Sequence, residues 1–514
     1  MSAHNENLPI ILTRLALAVA MVVMAIYAFI SNSMLLMMAV GAAAPVVALL
    51  NKPRLVMILC ISLFPSNLVV PGLPSGLQFV HLLMLFFIGQ TVAQNVIVKP
   101  RRPPMRFVHY ALYAMLVVVG STIYIRGLGL KTSGGDLIGG AAYIRFFAGA
   151  GFLLCARQYT LTVAEWRKCF FLIVLGSALP VIAQFIFVAS GGAIYHHFVI
   201  IQPYVYGLVE SLTAAEGGGG IMRYHSLSGV GISLLGLGLV FMPFRGIFQP
   251  KFVFMMLTCL ALSALSGFRI SIMEILGTTA LFILLSARKG QRLRHLFSMG
   301  AALLVVLAIL IPVIGYLPLS VQRSLSWLPF VPVSSLALTD ASDSTAWRVE
   351  VWKYSMQYWK TYAWVGRGFT VSLSDIFALS TLNKMITTAF AGHNYHSGPI
   401  SMLLDLGVVG FITGSAVLLS SARYALNPLT GETSLFLQRM YTLYRAKMIY
   451  LVVSYYAFFG DVKNSFVFVF INLAILESIR ASVESGKAST APVAPSTADR
   501  KRIVREAPNR IYLH

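Results

Sequence analysis

Apolar runs separated by brief polar connectors recur along almost the whole chain, and their lengths predict a stack of membrane-spanning helices. A hydrocarbon core about 30 Å thick needs roughly 20 apolar residues in a helix, the conformation that satisfies its own backbone hydrogen bonds without water. The runs place spans near 12–31, 33–51, 55–71, 78–97, 107–125, 137–156, 169–189, 226–243, 252–267, 270–287, 296–316, 396–420, 446–461 and 465–480. The fold class is therefore all-α, a polytopic transmembrane bundle of about 12–14 spans. Two regions break the pattern: a long mixed segment over 317–395, and an Ala/Ser/Pro-rich basic tail over 481–514 that is expected to be disordered. Residues 1–480 are read as one integral domain that includes the 317–395 segment. The first apolar run has no small-residue cleavage pattern after it and is read as a retained span.

Composition sharpens this picture. Hydrophobic residues make up 58% and charged residues 11% of the 514 positions, whereas a soluble domain carries about 25% charged residues. The formal charge of +22 does not point to nucleic acid, because the basic residues sit in short connectors rather than on one soluble face. They cluster on alternate connectors, at Lys52 and Arg54, Lys99 to Arg106, Arg157 to Lys168, Arg245 and Lys251, Arg288 to Arg294, and Arg423 to Lys447. By the positive-inside rule these are cytoplasmic, as are both termini, and the outward segments are 126–136, 190–225, 266–269 and 317–395. The protein is expected to be a multi-pass inner-membrane protein. Cys60, Cys155, Cys169 and Cys259 lie in or beside apolar runs without paired spacing, so they indicate neither a metal site nor a disulfide framework.

The long outward segment holds most of the candidate chemistry. A helix is predicted through DSTAWRVEVWKYSMQYWK, capped by Asp343 or Ser344. Trp347, Val351, Tyr354 and Tyr358 share one side, and Arg348, Trp352 and Trp359 the neighbouring one. The aromatics suit a helix resting at headgroup level better than a sugar platform. Ser397 or Gly398, with Pro399 in the first turn, starts the following span, which puts His393 just outside the membrane, where an imidazole can act as a general base. Arg223, after four glycines, faces the outer surface too, with a flexible loop as the plain reading. Arg145 and Glu274 are intramembrane charges that a structural pair between helices explains as well as a function does. Asp340 and Asp343 read as turn and cap residues, and no acidic pair or His/Cys cluster stands on the outer face to hold a metal. No internal repeat is visible.

The order Arg348-x3-Trp352, Gly366-x-Gly368, His393-Asn394, Leu403 or Leu404, Gly407 and Gly410 resembles the O-antigen ligase and polymerase family. The segment SALSGFRIS, with Arg269 at an outer membrane edge, looks like a further element, and the resemblance spans roughly residues 220–420. It implies a metal-independent, cofactor-free, inverting glycosyltransferase that moves a glycan from a polyprenyl diphosphate carrier to an acceptor hydroxyl at the periplasmic face. His393 carries over as the base, Asn394 as its motif neighbour at the substrate, and Arg348 and Arg269 as diphosphate ligands, with Arg223 joining on membrane position alone. The implied partners are the lipid-linked donor, a glycan or lipid acceptor, membrane lipids and other polysaccharide-assembly proteins. This chain departs from the family in lacking Ser directly before Arg269, and in placing His396, Ser397 and Gly398 where an apolar position is usual, which points to a different acceptor. A polysaccharide or lipid exporter and a structural scaffold are the alternatives from other classes.

Overall fold

The computed structural model describes residues 52–68, 77–98, 103–129, 137–190, 221, 223–242, 249–287, 289–328, 330–372, 384–430 and 433–486. The first two expected spans, most of the outward segment 190–225 and the tail beyond 486 lie outside the described residues.

The apolar runs fold as helices α1 (Pro53–Leu63), α2 (Phe79–Val98), α3 (Phe107–Arg126), α4 (Gly140–Ala156), α5 (Val163–Ala189), α6 (His225–Phe241), α7 (Pro250–Leu265), α8 (Arg269–Ser286) and α9 (Arg292–Leu310). The 317–395 segment contributes three shorter or more polar helices, α10 (Leu319–Leu325), α11 (Ser335–Gln357) and α12 (Lys384–Ala391). The bundle is completed by α13 (Gly398–Leu426), α14 (Leu435–Ala457) and α15 (Val462–Glu484). Seven of these are long and apolar enough to cross a membrane, and four apolar helices or helix pairs are shorter, among the described residues. Every expected span from 55–71 onward is met by a helix, so the all-α polytopic reading holds. The last helix continues to Glu484, beyond the expected end at 480, because LESIRASVE keeps its helical hydrogen bonding.

α15 is the axis of the bundle: 83% of its apolar window is buried, against 6% for the window that begins at Arg292. It packs along α4, where Gly149 admits Val467 and Phe470 so closely that an added Cβ would lie 3.1 and 3.3 Å from them. α13 packs on α3, α8 on α14, and α6 between α5 and α7. The apolar face of α9 is turned outward, as suits a helix at the lipid boundary.

The two ends of the bundle differ in kind. At one end the outward segments join: a two-residue antiparallel ladder pairs Leu137 with Ser372 and Ile138 with Val371, Arg323 donates to Gly267 O, and Arg223 donates to Asp340. At the other end, arginines of the basic connectors close the helix termini. Arg157 donates to the carbonyls of Pro103 and Pro104, Arg439 to Met242 O, and Arg445 to Ala425 and Leu426. The segments that charge alternation assigns to one side of the membrane therefore meet on one side of the fold.

Candidate functional site at a broken helix

The site is built where a helix is interrupted. Within α13, Gly407 has φ 72° and ψ −174°, so the helical ladder fails around it. The freed groups are taken up by the segment carrying Gly366-x-Gly368. Arg367 N donates to Leu404 O at 2.7 Å and Gly368 N to Asp405 O at 2.9 Å, while Val408 N donates to Ala363 O at 2.7 Å. An apolar span tolerates such a break only where protein replaces the lost backbone partners. Both glycines of the motif are needed: a Cβ on Gly366 would run into the Asp405 backbone, and Gly368 adopts φ +77 against the Tyr143 hydroxyl. Tyr143 and Arg126 fix this segment from the bundle side, through Phe369 N to Tyr143 Oη at 2.9 Å and Arg126 Nε to Gly366 O at 3.1 Å.

The break leaves Asp405, buried to 1% exposure, turned toward the turn that precedes α13. There it faces His393 Nδ1 at 2.7 Å, the Tyr395 hydroxyl at 3.1 Å and the Ser401 hydroxyl at 3.2 Å. The Asp405 carboxylate accepts from all three, and its oxygen on Nδ1 fixes the imidazole as the Nδ1–H tautomer with its lone pair on Nε2. Nε2 itself is buried and makes no hydrogen bond. Burial lowers the His393 pKa below its ordinary value, with Asp405 opposing that shift, while Arg367 and Lys463 add to it. The imidazole is thus neutral at pH 7 and able to accept a proton. Burial pushes the Tyr395 phenol well above its usual range, so it stays a donor. Arg367 completes the shell by donating to Phe390 O, with its guanidinium 4.3 Å from the Phe390 ring centroid.

Helix α11 brings the arginine side of the site. It starts earlier than the sequence predicted: Ser334 is the cap, accepting from Ala337 N at 3.2 Å, and Asp343 lies inside the helix because the SLALTDA run is itself a good helix former. Tyr354 and Tyr358 pack on Phe390 of the His393 turn, so this aromatic face covers the protein's own loop rather than lying free at headgroup level. Trp352 donates to Tyr395 O at 2.7 Å, which sets Arg348, one turn earlier, beside the same turn. Arg348 Nε is buried without a hydrogen-bond partner. Its pKa is lowered first by burial and then by the positive charges of Arg269 and Arg223.

Arg348, Arg269 and Arg223 thus form one electropositive group. Asp340 sits within it, joined to Arg223 through both carboxylate oxygens at 3.0 Å and to Arg323. Burial raises the Asp340 pKa, yet its arginine contacts outweigh this and leave it below the usual carboxylate value. Arg269 donates to Ala341 O at 2.7 Å. Sequence reasoning took Asp340 for a turn residue. Arg323 is 5% exposed, because α10 folds back against the end of α7 and carries its guanidinium inward to Gly267 and Asp340. Asn394 is exposed, and its side chain accepts from Lys463 Nζ at 3.2 Å, which ties the turn to α15. Arg145 donates to Asn464 at 2.7 Å rather than pairing with Glu274, whose charged neighbour is Lys447.

Residues 252–413 match the family described as O-Antigen ligase, which encloses Arg269, Arg348, Gly366, Gly368, His393 and Asp405. No curated protein matches the chain. The family match confirms the resemblance carried by the short motifs and supports a membrane glycan ligase or polymerase as the kind of function.

Proposed function

We propose that this chain transfers a glycan from a polyprenyl diphosphate carrier to an acceptor hydroxyl at the outer face of the membrane, with inversion at the sugar carbon and without a metal ion. The observation that carries the reading is His393, whose Nδ1 faces Asp405 at 2.7 Å and whose Nε2 is buried with no partner. A neutral imidazole in that state is a base waiting for a proton donor.

In the proposed step the acceptor hydroxyl gives its proton to His393 Nε2 while its oxygen attacks the anomeric carbon. The bond from that carbon to the diphosphate oxygen breaks, and the electron pair leaves with the diphosphate. Asp405 steadies the imidazolium, which later releases its proton to water. The departing charge is met by Arg348, Arg269 and Arg223, positioned in a partly buried site where positive charge acts strongly. Those arginines fill the role a divalent cation has in other transferases. Because the carrier's hydrocarbon chain remains in the bilayer, it enters between helices rather than from water.

The test is transfer by purified protein in nanodiscs supplied with a glycan on polyprenyl diphosphate. His393→Ala is expected to lose about 10²–10⁴-fold of the rate, and near-normal transfer would remove His393 from the mechanism. Glycan analysis of a deletion strain then separates the two finer activities, since a polymerase defect shortens chains and a ligase defect leaves them unattached.

A further inference from the structure

Beside the proposed base lies a second group of side chains that the transfer step does not use. His396 stands three residues past His393, and both adopt left-handed backbone, with φ 52° and 57°. Such conformations are strained for side-chain-bearing residues and persist where the surrounding structure enforces them. The result is to turn the His396 ring between Trp347 of α11, at 5.1 Å between centroids and 66°, and Phe459 after α14, at 5.1 Å and 47°. His396 Nδ1 and Trp347 Nε1 are buried, and neither makes a hydrogen bond; Arg348 Nε, on the adjacent residue of α11, is likewise unpaired. Buried polar atoms are nearly always satisfied, so three orphans on neighbouring side chains mark a place that a polar ligand completes.

The chemistry of the orphans selects the ligand. Burial, followed by the positive charge of Arg348, holds the His396 pKa down at about 4, so at neutral pH this ring carries no charge. A neutral imidazole is a poor partner for a phosphate, because one of its nitrogens presents a lone pair. A hydroxyl both donates and accepts, and so satisfies His396 Nδ1 in either tautomer while also taking the Trp347 N–H. Flanking aromatic rings offer the apolar faces on which the C–H side of a sugar ring rests.

We propose that Trp347, His396 and Phe459 form a subsite for a neutral, hydroxyl-bearing sugar ring, next to the arginines that take the diphosphate. This rests on the transfer reading for its biological meaning, while its binding claim stands apart. In it, His396 is a specificity residue, and the unusual His396-Ser397-Gly398 stretch reflects the sugar it reads.

Two probes separate the subsite from the arginine site in purified protein in nanodiscs: an oligosaccharide released by mild acid from the host cell's own envelope polysaccharide, and inorganic pyrophosphate. Saturation-transfer NMR and tryptophan fluorescence follow the first, and competition with a labelled pyrophosphate follows the second. The wild type is expected to bind both. His396→Phe should weaken the oligosaccharide at least tenfold and leave pyrophosphate unchanged, while His396→Gln, which keeps an acceptor, recovers part of the loss. Trp347→Phe, which keeps an aromatic ring and removes the N–H, gives an independent and smaller loss should His396→Phe not fold. Failure of the wild type to bind the oligosaccharide, or equal binding by all three variants, overturns the subsite. Loss of pyrophosphate binding in the wild type with sugar binding retained instead overturns the diphosphate role of the arginines and leaves the subsite standing.

Discussion

Trp352 donates its indole N–H to the carbonyl of Tyr395 at 2.7 Å, and that bond ties the helix carrying Arg348 to the turn carrying His393. The two halves of the site come from separate parts of the 317–395 segment, Ser335–Gln357 and the turn before Gly398, so their alignment depends on contacts of this kind. Trp352→Phe keeps most of the apolar surface and removes the donor. A neutral hydrogen bond contributes about 0.5–1.5 kcal/mol, so the variant should fold with a slightly lowered unfolding temperature and lose transfer several-fold. An unchanged kcat/KM would mean that the bond does not align the site.

In the proposed transfer Asp405 acts through His393, whose Nδ1 it faces at 2.7 Å, and is a positioning residue. Asp405→Asn keeps the size of the side chain but replaces a pure acceptor, which removes the preference for the Nδ1–H tautomer. Transfer should fall at least a hundredfold, within the range assigned to general-base catalysis. Residues that act as a unit are not additive, so the double variant with His393→Ala should be no worse than His393→Ala alone. Multiplying losses in the double variant would show that the two carboxylate and imidazole groups act separately.

Arg323 and Arg348 should behave in opposite ways. Arg323 is buried against Asp340 and the Gly267 carbonyl, and charged hydrogen bonds contribute about 1.5–3 kcal/mol each. Arg323→Gln is therefore expected to lower the unfolding temperature strongly. Arg348 has its Nε unpaired, and Arg348→Lys should leave stability near wild type while cutting transfer, because an ammonium cannot reproduce a two-donor fork on a diphosphate. Equal thermal losses in both variants would place Arg348 in the structural network instead.

How much of this was legible in the sequence follows from the range of the interactions. The spans from 55–71 onward, the meeting of the described outward segments at one end, and the start of α13 at Ser397 and Pro399 were readable, since each depends on local pattern. His393, the proposed base, was picked out by its motif. Asp340 was not, because its partners Arg223 and Arg323 are brought to it by folding, the former across 117 residues. Nor was the break in α13, whose cause lies in a loop some forty residues earlier that supplies replacement partners. Asp405 had a usable signal that was overlooked: it is the sole acid in Gly398–Leu426, and an acid within a span is a functional candidate by default.

The Gly366 contact gives a sharp steric test. A Cβ there meets the Asp405 backbone, a neighbour that cannot swing aside as a side chain would. Overpacking of this sort costs about 1–3 kcal/mol, and the strain falls on the residue that holds His393. Gly366→Ala should abolish most transfer with a modest loss of stability, whereas Gly120→Ala, at a glycine with open space around it, should be neutral in both. Full activity in Gly366→Ala would show that the loop can leave the break without disturbing Asp405.

The two histidines of the turn also set a pH dependence of stability. An unfolded histidine titrates near 6.5, while in the fold His396 is held at about 4 and His393 is shifted in the same direction. Between those values the unfolded chain binds protons that the folded chain does not, so stability is present above pH 6.5 and is lost as the pH falls toward 4. The unfolding temperature in detergent should therefore drop between pH 7.5 and pH 5. His396→Gln removes one of the titrating groups, and its unfolding temperature should fall less over the same interval, even if it starts lower. A variant with the same pH slope as the wild type would show that His396 is not kept neutral by the fold, and would remove the uncharged-ring argument for the sugar subsite.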